Sequence, residues 1–276
     1  MSLHSEKPKG FVLLQEKSKP VIALVADGSS NAEGQKALEG LDLFIQERFP
    51  EHDVVWAIQA GYMIKALKQR GQTTYFQREI PLIFASELLA RLATADRQKI
   101  AMQMLMTTEN SFSVQALEAD THGMTVKYGL SYLTSSNPEN QVELAKSLEP
   151  LYGDGEETAI VLIAHGSDKY YQWLVGIDNY VRENYKNVCL ATLHGLPGTE
   201  RMVADVKASG CKKVRFISLM MSRGGHVSQD IMNDERPNSW KNRIGLPAEV
   251  VDNYSENESI RNYFIRSIQG LLQQFE

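Results

Sequence analysis

Three of the six histidines in this 276-residue chain stand where parallel α/β proteins place their chemistry. His165 follows the apolar run Ala159–Ala164 (AIVLIA), and His194 follows Asn187–Leu193 (NVCLATL). His226 lies in the loop Arg223-Gly224-Gly225-His226, after Lys213–Leu219 and a pair of methionines. Ligands of parallel sheets bind at the carboxyl ends of the strands. Three imidazoles converging there form a common ligand set for a divalent ion with an open coordination position. A single histidine at a strand end is ordinarily structural, bonded to backbone. Three on successive strand ends exceed any packing need, because each must find its own partners. The pattern therefore predicts metal binding or catalysis by at least two of them. His4, His52 and His122 lack such a setting and read as exposed loop residues.

The elements that must carry these residues are legible as two similar halves. Val21–Ala26 (VIALVA) and Ala159–Ala164 are continuous, β-branched apolar runs, as expected of strands covered on both faces. Each is followed by apolar residues at helical spacing: Ala37, Leu38, Leu41, Phe44 and Ile45 in the first half, Trp173, Leu174, Ile177 and Val181 in the second. Further strands are expected at Asp53–Ile58 and Lys99–Leu105, and in the second half at Asn187–Leu193 and Lys213–Leu219. Helices Glu87–Thr94 and Thr199–Ala208 precede the third strand of each half. Pro197-Gly198 and Gly210 bracket the latter helix.

This is an internal duplication of α/β lobes, each a parallel sheet flanked by helices, with Asp27 corresponding to His165. Asn137–Glu157 reads as a helix and a linker, which divides the chain into residues 1–152 and 153–276, the second lobe carrying the histidines. In the first lobe Asp27 and Gln59 occupy the places read as equivalent to His165 and His194. An amphipathic helix built on Ile260, Phe264, Ile268, Leu271, Leu272 and Phe275 ends the chain.

Composition narrows the function classes. A hydrophobic content of 43% is enough for a sizeable core, and a formal net charge of -5 gives no basic excess to bind nucleic acid. Cys189 and Cys211 lack CxxC spacing, so buried free thiols are expected in place of a disulfide or thiolate site. No run approaches the roughly 20 apolar residues of a membrane helix, and Phe11–Leu14 is too short for a signal-peptide core. The cytoplasm is the expected compartment. A periplasmic origin stays open, since Met1-Ser2-Leu3 is compatible with a start that replaced an export signal.

Several stretches resemble a known family: Ala164-His165-Gly166-Ser167, Leu193-His194-Gly195-Leu196-Pro197-Gly198, Ser218-Leu219-Met220-Met221 running to Gly225-His226, Asp230-Ile231-Met232-Asn233-Asp234-Glu235, and Asn238-Ser239-Trp240-Lys241. They are similar to the anaerobic sirohydrochlorin cobalt chelatases, class II enzymes with two α/β lobes in one chain. The resemblance is strongest from Ile160 to Lys241. It is weaker earlier, at Val21–Ser30, FPEHDVVWAI and Gln103-Met104-Leu105.

The resemblance implies ATP-independent insertion of a divalent metal into sirohydrochlorin in anaerobic cobalamin biosynthesis, with no nucleotide. Cobalt is favoured, and Ni2+, Fe2+ or Zn2+ are alternatives. His165 and His226 match the family's metal ligands and catalytic histidines. His194 stands where the family usually has a glutamate, which removes a negative charge and favours nitrogen-preferring metals. Met106 stands in place of a family histidine, so no role of that histidine transfers. Insertion needs a base for two pyrrole protons, and an imidazole with the ordinary value of about 6.5 can serve. Asp230, with Asp234 or Glu235, is the candidate partner that orients His226, against a plain solvated acidic loop. The tetrapyrrole's carboxylates are expected to meet backbone N–H groups of Gly166-Ser167 and Gly224-Gly225 together with Arg223. Trp240, Met220 and Met221 read as core before ring contacts.

The partner implied is the tetrapyrrole, with a homo-oligomer left open. Two other readings remain: a metal- or haem-binding protein without turnover, and a nickel or iron chelatase on the same fold.

Overall fold

The computed structural model describes residues 11–108, 121–134, 138–153, 157–167, 171–221, 225–251 and 254–276. The chain divides into two compact units. One comprises Met1–Met106, Asn110–Leu130 and Phe264–Glu276, the other Thr107–Glu109 and Ser131–Tyr263. The boundary read from linker composition, near Gly153, lies inside the second unit, which also takes in the helix Glu139–Ser147.

In the first unit, strands β1 (Val21–Ala26), β2 (Val54–Ile58), β5 (Lys99–Met104) and β6 (Thr125–Gly129) form one sheet in the order β2-β1-β5-β6, every pairing parallel. The two-residue strands β3 (Thr74–Tyr75) and β4 (Ile80–Pro81) make a separate antiparallel pair. Every residue of β1 is at most 1% exposed, as its continuous apolar sequence requires. The helices between are α1 (Ala32–Arg48), α2 (Gly61–Gln69) and α3 (Ala85–Thr94). Asn31 starts α1 by accepting the Gly34 N–H on its side-chain oxygen at 2.7 Å, satisfying a donor that the first helical turn would leave orphaned.

Two buried carboxylates stabilise this unit. Asp42 on α1 accepts from Trp56 Nε1 at 2.7 Å and from Arg78 Nε and Nη2 at 2.8 and 2.7 Å. Asp53, before β2, accepts from Arg97 at 2.9 Å and from the N–H of Leu14 at 2.8 Å, which ties down the entering chain. His52 is not exposed as its sequence setting suggested: its side chain is 13% exposed, and Nδ1 lies 2.8 Å from the Pro20 carbonyl. The turn after α1 folds it against the start of β1. His122 is exposed, and His4 lies outside the described residues.

The second unit repeats the plan. Strands β7 (Thr158–Ala164), β8 (Val188–Thr192), β9 (Lys213–Ser218) and β10 (Ala248–Val251) pair in parallel in the order β10-β9-β7-β8. Counted within its own unit, each sheet thus runs second, first, third, fourth. Helix α4 (Glu139–Ser147) packs on α5 (Val175–Asn184), and α5 and α6 (Thr199–Ser209) both pack on β8. The five-residue α7 (Trp240–Ile244) belongs to this unit, and the terminal α8 (Glu258–Gln273) begins in it, its residues from Phe264 onward belonging to the first. Gly210 ends α6 in the left-handed conformation, as its position predicted. Asp178 on α5 is buried and takes Arg201 through both oxygens at 2.9 and 2.7 Å, with Tyr171 OH at 3.0 Å. The first helix after the first strand of each unit therefore buries an aspartate against arginine.

Cys189 and Cys211 are buried free thiols, as expected. Burial pushes the Cys189 thiol up to about 12. Among the described residues no helix is long and apolar enough to cross a membrane.

Candidate metal centre

His165 is the residue after β7, and its neighbour β8 brings His194 beside it through sheet register. Ala164 pairs with Thr192, the Leu193 N–H donates to the Ala164 carbonyl at 3.1 Å, and the His194 N–H donates to the His165 carbonyl at 3.0 Å. The loop beyond folds back on the strand it left, with Thr192 N–H donating to Pro197 O at 2.8 Å.

Gly166 makes this approach possible. Its φ is +70°, and a Cβ there would stand 2.2 Å from the His194 carbonyl oxygen and 2.4 Å from Thr192 Cβ. Only a residue without a side chain lets the two histidine-bearing loops close to this separation. Its counterpart Gly28, also two residues beyond its strand, has φ +87° and meets Ile58 and Tyr75 at 3.0 Å. The pairs Gly28-Ser29 and Gly166-Ser167 are therefore one structural device used twice, following Asp27 in one unit and His165 in the other.

His226 arrives from the far end of β9. The turn that carries it, Val227–Ile231, is wound one residue wider than an α-helix, with Met232 N–H donating to Val227 O at 2.9 Å. Val227 and Ile231 are fully buried in the unit's core, which leaves His226 and Asp230 on the opposite, half-exposed side. One turn apart, they meet: His226 Nδ1 lies 2.7 Å from Asp230 Oδ2. A carboxylate can only accept here, so the bond puts a proton on Nδ1 and leaves Nε2 with its lone pair. His165 Nδ1 lies 3.1 Å from the Gly166 carbonyl, which selects the same tautomer.

The three rings form a compact triangle. Centroids are 5.0 Å apart for His165 and His194, 5.3 Å for His165 and His226, and 5.9 Å for His194 and His226. One nitrogen from each ring lies within 4.8 Å of the other two. Three nitrogens sharing an ion at about 2.1 Å each stand at most about 3.6 Å apart in a regular triangle. Inward side-chain adjustments of under about 1 Å each would bring the three into a coordination sphere. His165 and His194 are exposed, so the triangle opens to solvent.

The family model for cobalt chelatase (CbiK) matches residues 21–273. The chain belongs to the cobalt chelatase family. A curated relative, "Sirohydrochlorin cobaltochelatase CbiKC" of Nitratidesulfovibrio vulgaris strain Hildenborough, is 24% identical over 253 residues, spanning 88% of this chain and 84% of the relative. Among solved structures, the DR2241 protein of Deinococcus radiodurans is similar, with a TM-score of 0.51 and 12% identity, covering 90% of this chain and 55% of that one. It is described as a multi-domain protein with structural similarity to chelatases and two additional novel domains, and the likeness supports the fold.

The other residues singled out in the sequence are placed unevenly around the triangle. Asp230 holds His226, whereas Glu235 does not join it. Glu235 is exposed, its backbone N–H donates to Asn233 Oδ1 at 2.8 Å, and the chain has already turned away from the helical face that His226 shares with Asp230. Asp234 pairs with Lys241 at 2.5 Å. Gly225 is exposed and its carbonyl accepts from Ser228 at 3.0 Å, and Ser167 is half-buried. Arg223 and Gly224 lie outside the described residues. Trp240 and Met221 are buried, and Met220 packs against the same core, so all three are structural. Met106 likewise belongs to the core of the first unit.

One correspondence read from sequence needs correction. Ile58 pairs with Ala26 as Thr192 pairs with Ala164, and Gln59 N–H donates to Ala26 O as Leu193 N–H donates to Ala164 O. Gln59 is therefore the counterpart of Leu193. The place of His194 is taken by Ala60, one residue on. Reading both as the polar residue after a strand lost the register by one. Sequence reasoning also missed the closeness that Gly166 permits, although the chain carries its signal, Gly-Ser two residues past each first strand.

Proposed function

We propose that this chain inserts a divalent metal, cobalt in the first instance, into sirohydrochlorin without a nucleotide, serving anaerobic cobalamin biosynthesis, with His165, His194 and His226 holding the metal before transfer. The observation that carries the reading is the triangle itself: three imidazoles from three successive strand ends, close enough to share an ion and open to solvent. Membership of the family and the activity for which the curated relative is named support the choice of reaction and substrate.

In this reading the metal is a substrate, and the ligand set suits its surrender. Neutral imidazoles bind late first-row ions without adding negative charge to the site. Insertion exchanges the metal for two pyrrole N–H protons. As the ion passes to the macrocycle, His165 and His226 regain their Nε2 lone pairs, which can accept those two protons and pass them to solvent. Backbone N–H groups of Gly166-Ser167 and Gly224-Gly225, with Arg223, are proposed to face the substrate's carboxylates.

A second reading has one observation of its own. The cluster is composed of histidines alone, which equally suits a protein that holds a metal or metallated tetrapyrrole without turnover. Anaerobic absorbance assays of the purified protein with metal-free sirohydrochlorin and Co2+, Ni2+ or Fe2+ decide between them. Metal-dependent conversion at catalytic protein concentration supports the chelatase. Stoichiometric binding without conversion for every metal replaces it with the binding protein.

A further inference from the structure

The carboxylate that holds His226 has a second oxygen. While Asp230 Oδ2 accepts from His226 Nδ1 at 2.7 Å, Oδ1 accepts from Arg236 Nη1 at 3.0 Å. Arg236 is outside the helical turn of His226 and reaches Asp230 because the chain between them is folded into a fixed turn. Asn233 Oδ1 accepts the backbone N–H groups of Glu235 at 2.8 Å and Arg236 at 3.2 Å. From α7, the Asn242 side-chain amide is shared among the carbonyls of Asn233, Asp234 and Arg236 at 3.2, 3.0 and 2.8 Å. The Arg236 carbonyl also accepts the Ser239 N–H at 3.0 Å. The guanidinium is thus attached to backbone held from both sides.

We propose that Arg236 is a positioning residue of the metal centre. By occupying Oδ1 it fixes the plane of the Asp230 carboxylate, so that Oδ2 faces His226 Nδ1 and the imidazole keeps Nε2 unprotonated and directed into the triangle. An aspartate on a half-exposed turn would otherwise sample several rotamers, and each rotamer that loses Nδ1 lets the ring adopt the other tautomer, which presents N–H where the ion must bind. The inference rests on the metal-centre reading for its purpose, while its geometry stands without it.

The bland alternative is a surface ion pair with no role at the site. Arg236 and Asp230 are 54% and 41% exposed, and pairs so placed are individually weak. The two accounts differ in what the imidazole does when the arginine is lost. Long-range 15N–1H NMR of the metal-free protein reads which ring nitrogen of His226 carries the proton, and titration with Co2+ followed by visible absorption reads affinity.

Three variants are compared with wild type. Asp230→Ala should weaken Co2+ binding by about 10- to 100-fold. Arg236→Gln should do so by about two- to five-fold, the effect available to an exposed pair, and raise the Nε2-protonated fraction of His226. Arg236→Lys keeps the charge and should recover part of both effects. A His226 tautomer and a Co2+ affinity unchanged in Arg236→Gln overturn the proposal, as does an unchanged tautomer in Asp230→Ala, which leaves Nδ1 without its acceptor. Absence of turnover with sirohydrochlorin would sink the chelatase reading alone, since the tautomer measurement needs neither metal nor substrate.

Discussion

Replacing Gly166 by alanine tests whether the approach of two loops, and not the histidines alone, makes the metal centre. The structure gives two separable penalties. Holding alanine at φ +70° costs about 1–2 kcal/mol, the left-handed penalty of any ordinary side chain. The new Cβ would also stand 2.2 Å from the His194 carbonyl oxygen, which is backbone and cannot swing aside. Relief requires the His194 loop to retreat by about 1 Å, and overpacking of this kind adds about 1–3 kcal/mol. The sum is about 2–5 kcal/mol of stability. A 1 Å misplacement of a reacting group lowers rate by about a hundredfold, so insertion and Co2+ affinity should fall steeply.

Gly210→Ala and Gly245→Ala are the controls. Both glycines have φ near that of Gly166, at +70° and +74°, with nothing within 4 Å of an added Cβ. They should show the conformational penalty alone and bind Co2+ as the wild type does. Thermal unfolding and Co2+ absorption titrations of the three variants read both quantities. If Gly166→Ala is no less stable than the controls and binds Co2+ within twofold of wild type, the close approach is not what holds the site together.

His165→Ala and His226→Ala should each abolish insertion in the sirohydrochlorin assay while circular dichroism and thermal unfolding stay near wild type, because neither side chain is buried in the core. His194→Glu should shift the ratio of insertion rates toward Co2+ relative to metals later in the Irving–Williams order, since a carboxylate restores negative charge and removes a nitrogen. Imidazole ligates only when neutral, so acidification should weaken metal binding more in wild type than in that variant; equal ratios and equal acid sensitivity would place His194 outside the coordination sphere. Burial drives the Cys189 thiol up to about 12, so at pH 8 Cys189 should resist alkylation in native protein and react promptly after unfolding in urea, as read by mass spectrometry.

The parts of this protein that could be read from sequence are those where one physical demand dominates. Val21–Ala26 matches its apolar run because a central parallel strand must be apolar on both faces. The counterpart Thr158–Ala164 begins one residue before its run for the same reason. The histidines stood out because a titratable residue directly after such a run has few structural explanations. Two of the four edge strands of the large sheets, β6 and β10, did not announce themselves. Thr125–Gly129 (TVKYG) has one covered side and mixes lysine with tyrosine, and Ala248–Val251 is four residues long, so neither shows a strand's periodicity clearly. His52 was misplaced because burial beside the Pro20 carbonyl depends on how a turn packs. The one-residue slip between Gln59 and Ala60 arose because residue type after a strand is a weaker marker than hydrogen-bond register.

The three histidines come from separate strand exits, the first and the last 61 positions apart. No short peptide of the chain contains the triangle, so a bound ion would act as a reversible crosslink over the folded second unit. Its visible spectrum would report the folded state of that unit directly. By mass action, ion at 100 times its dissociation constant would add about 2.7 kcal/mol to the free energy of unfolding. In the proposed reaction each delivery of the metal to the macrocycle removes that crosslink, so protection against heat or protease should track occupancy of the histidines and fall as substrate consumes the ion.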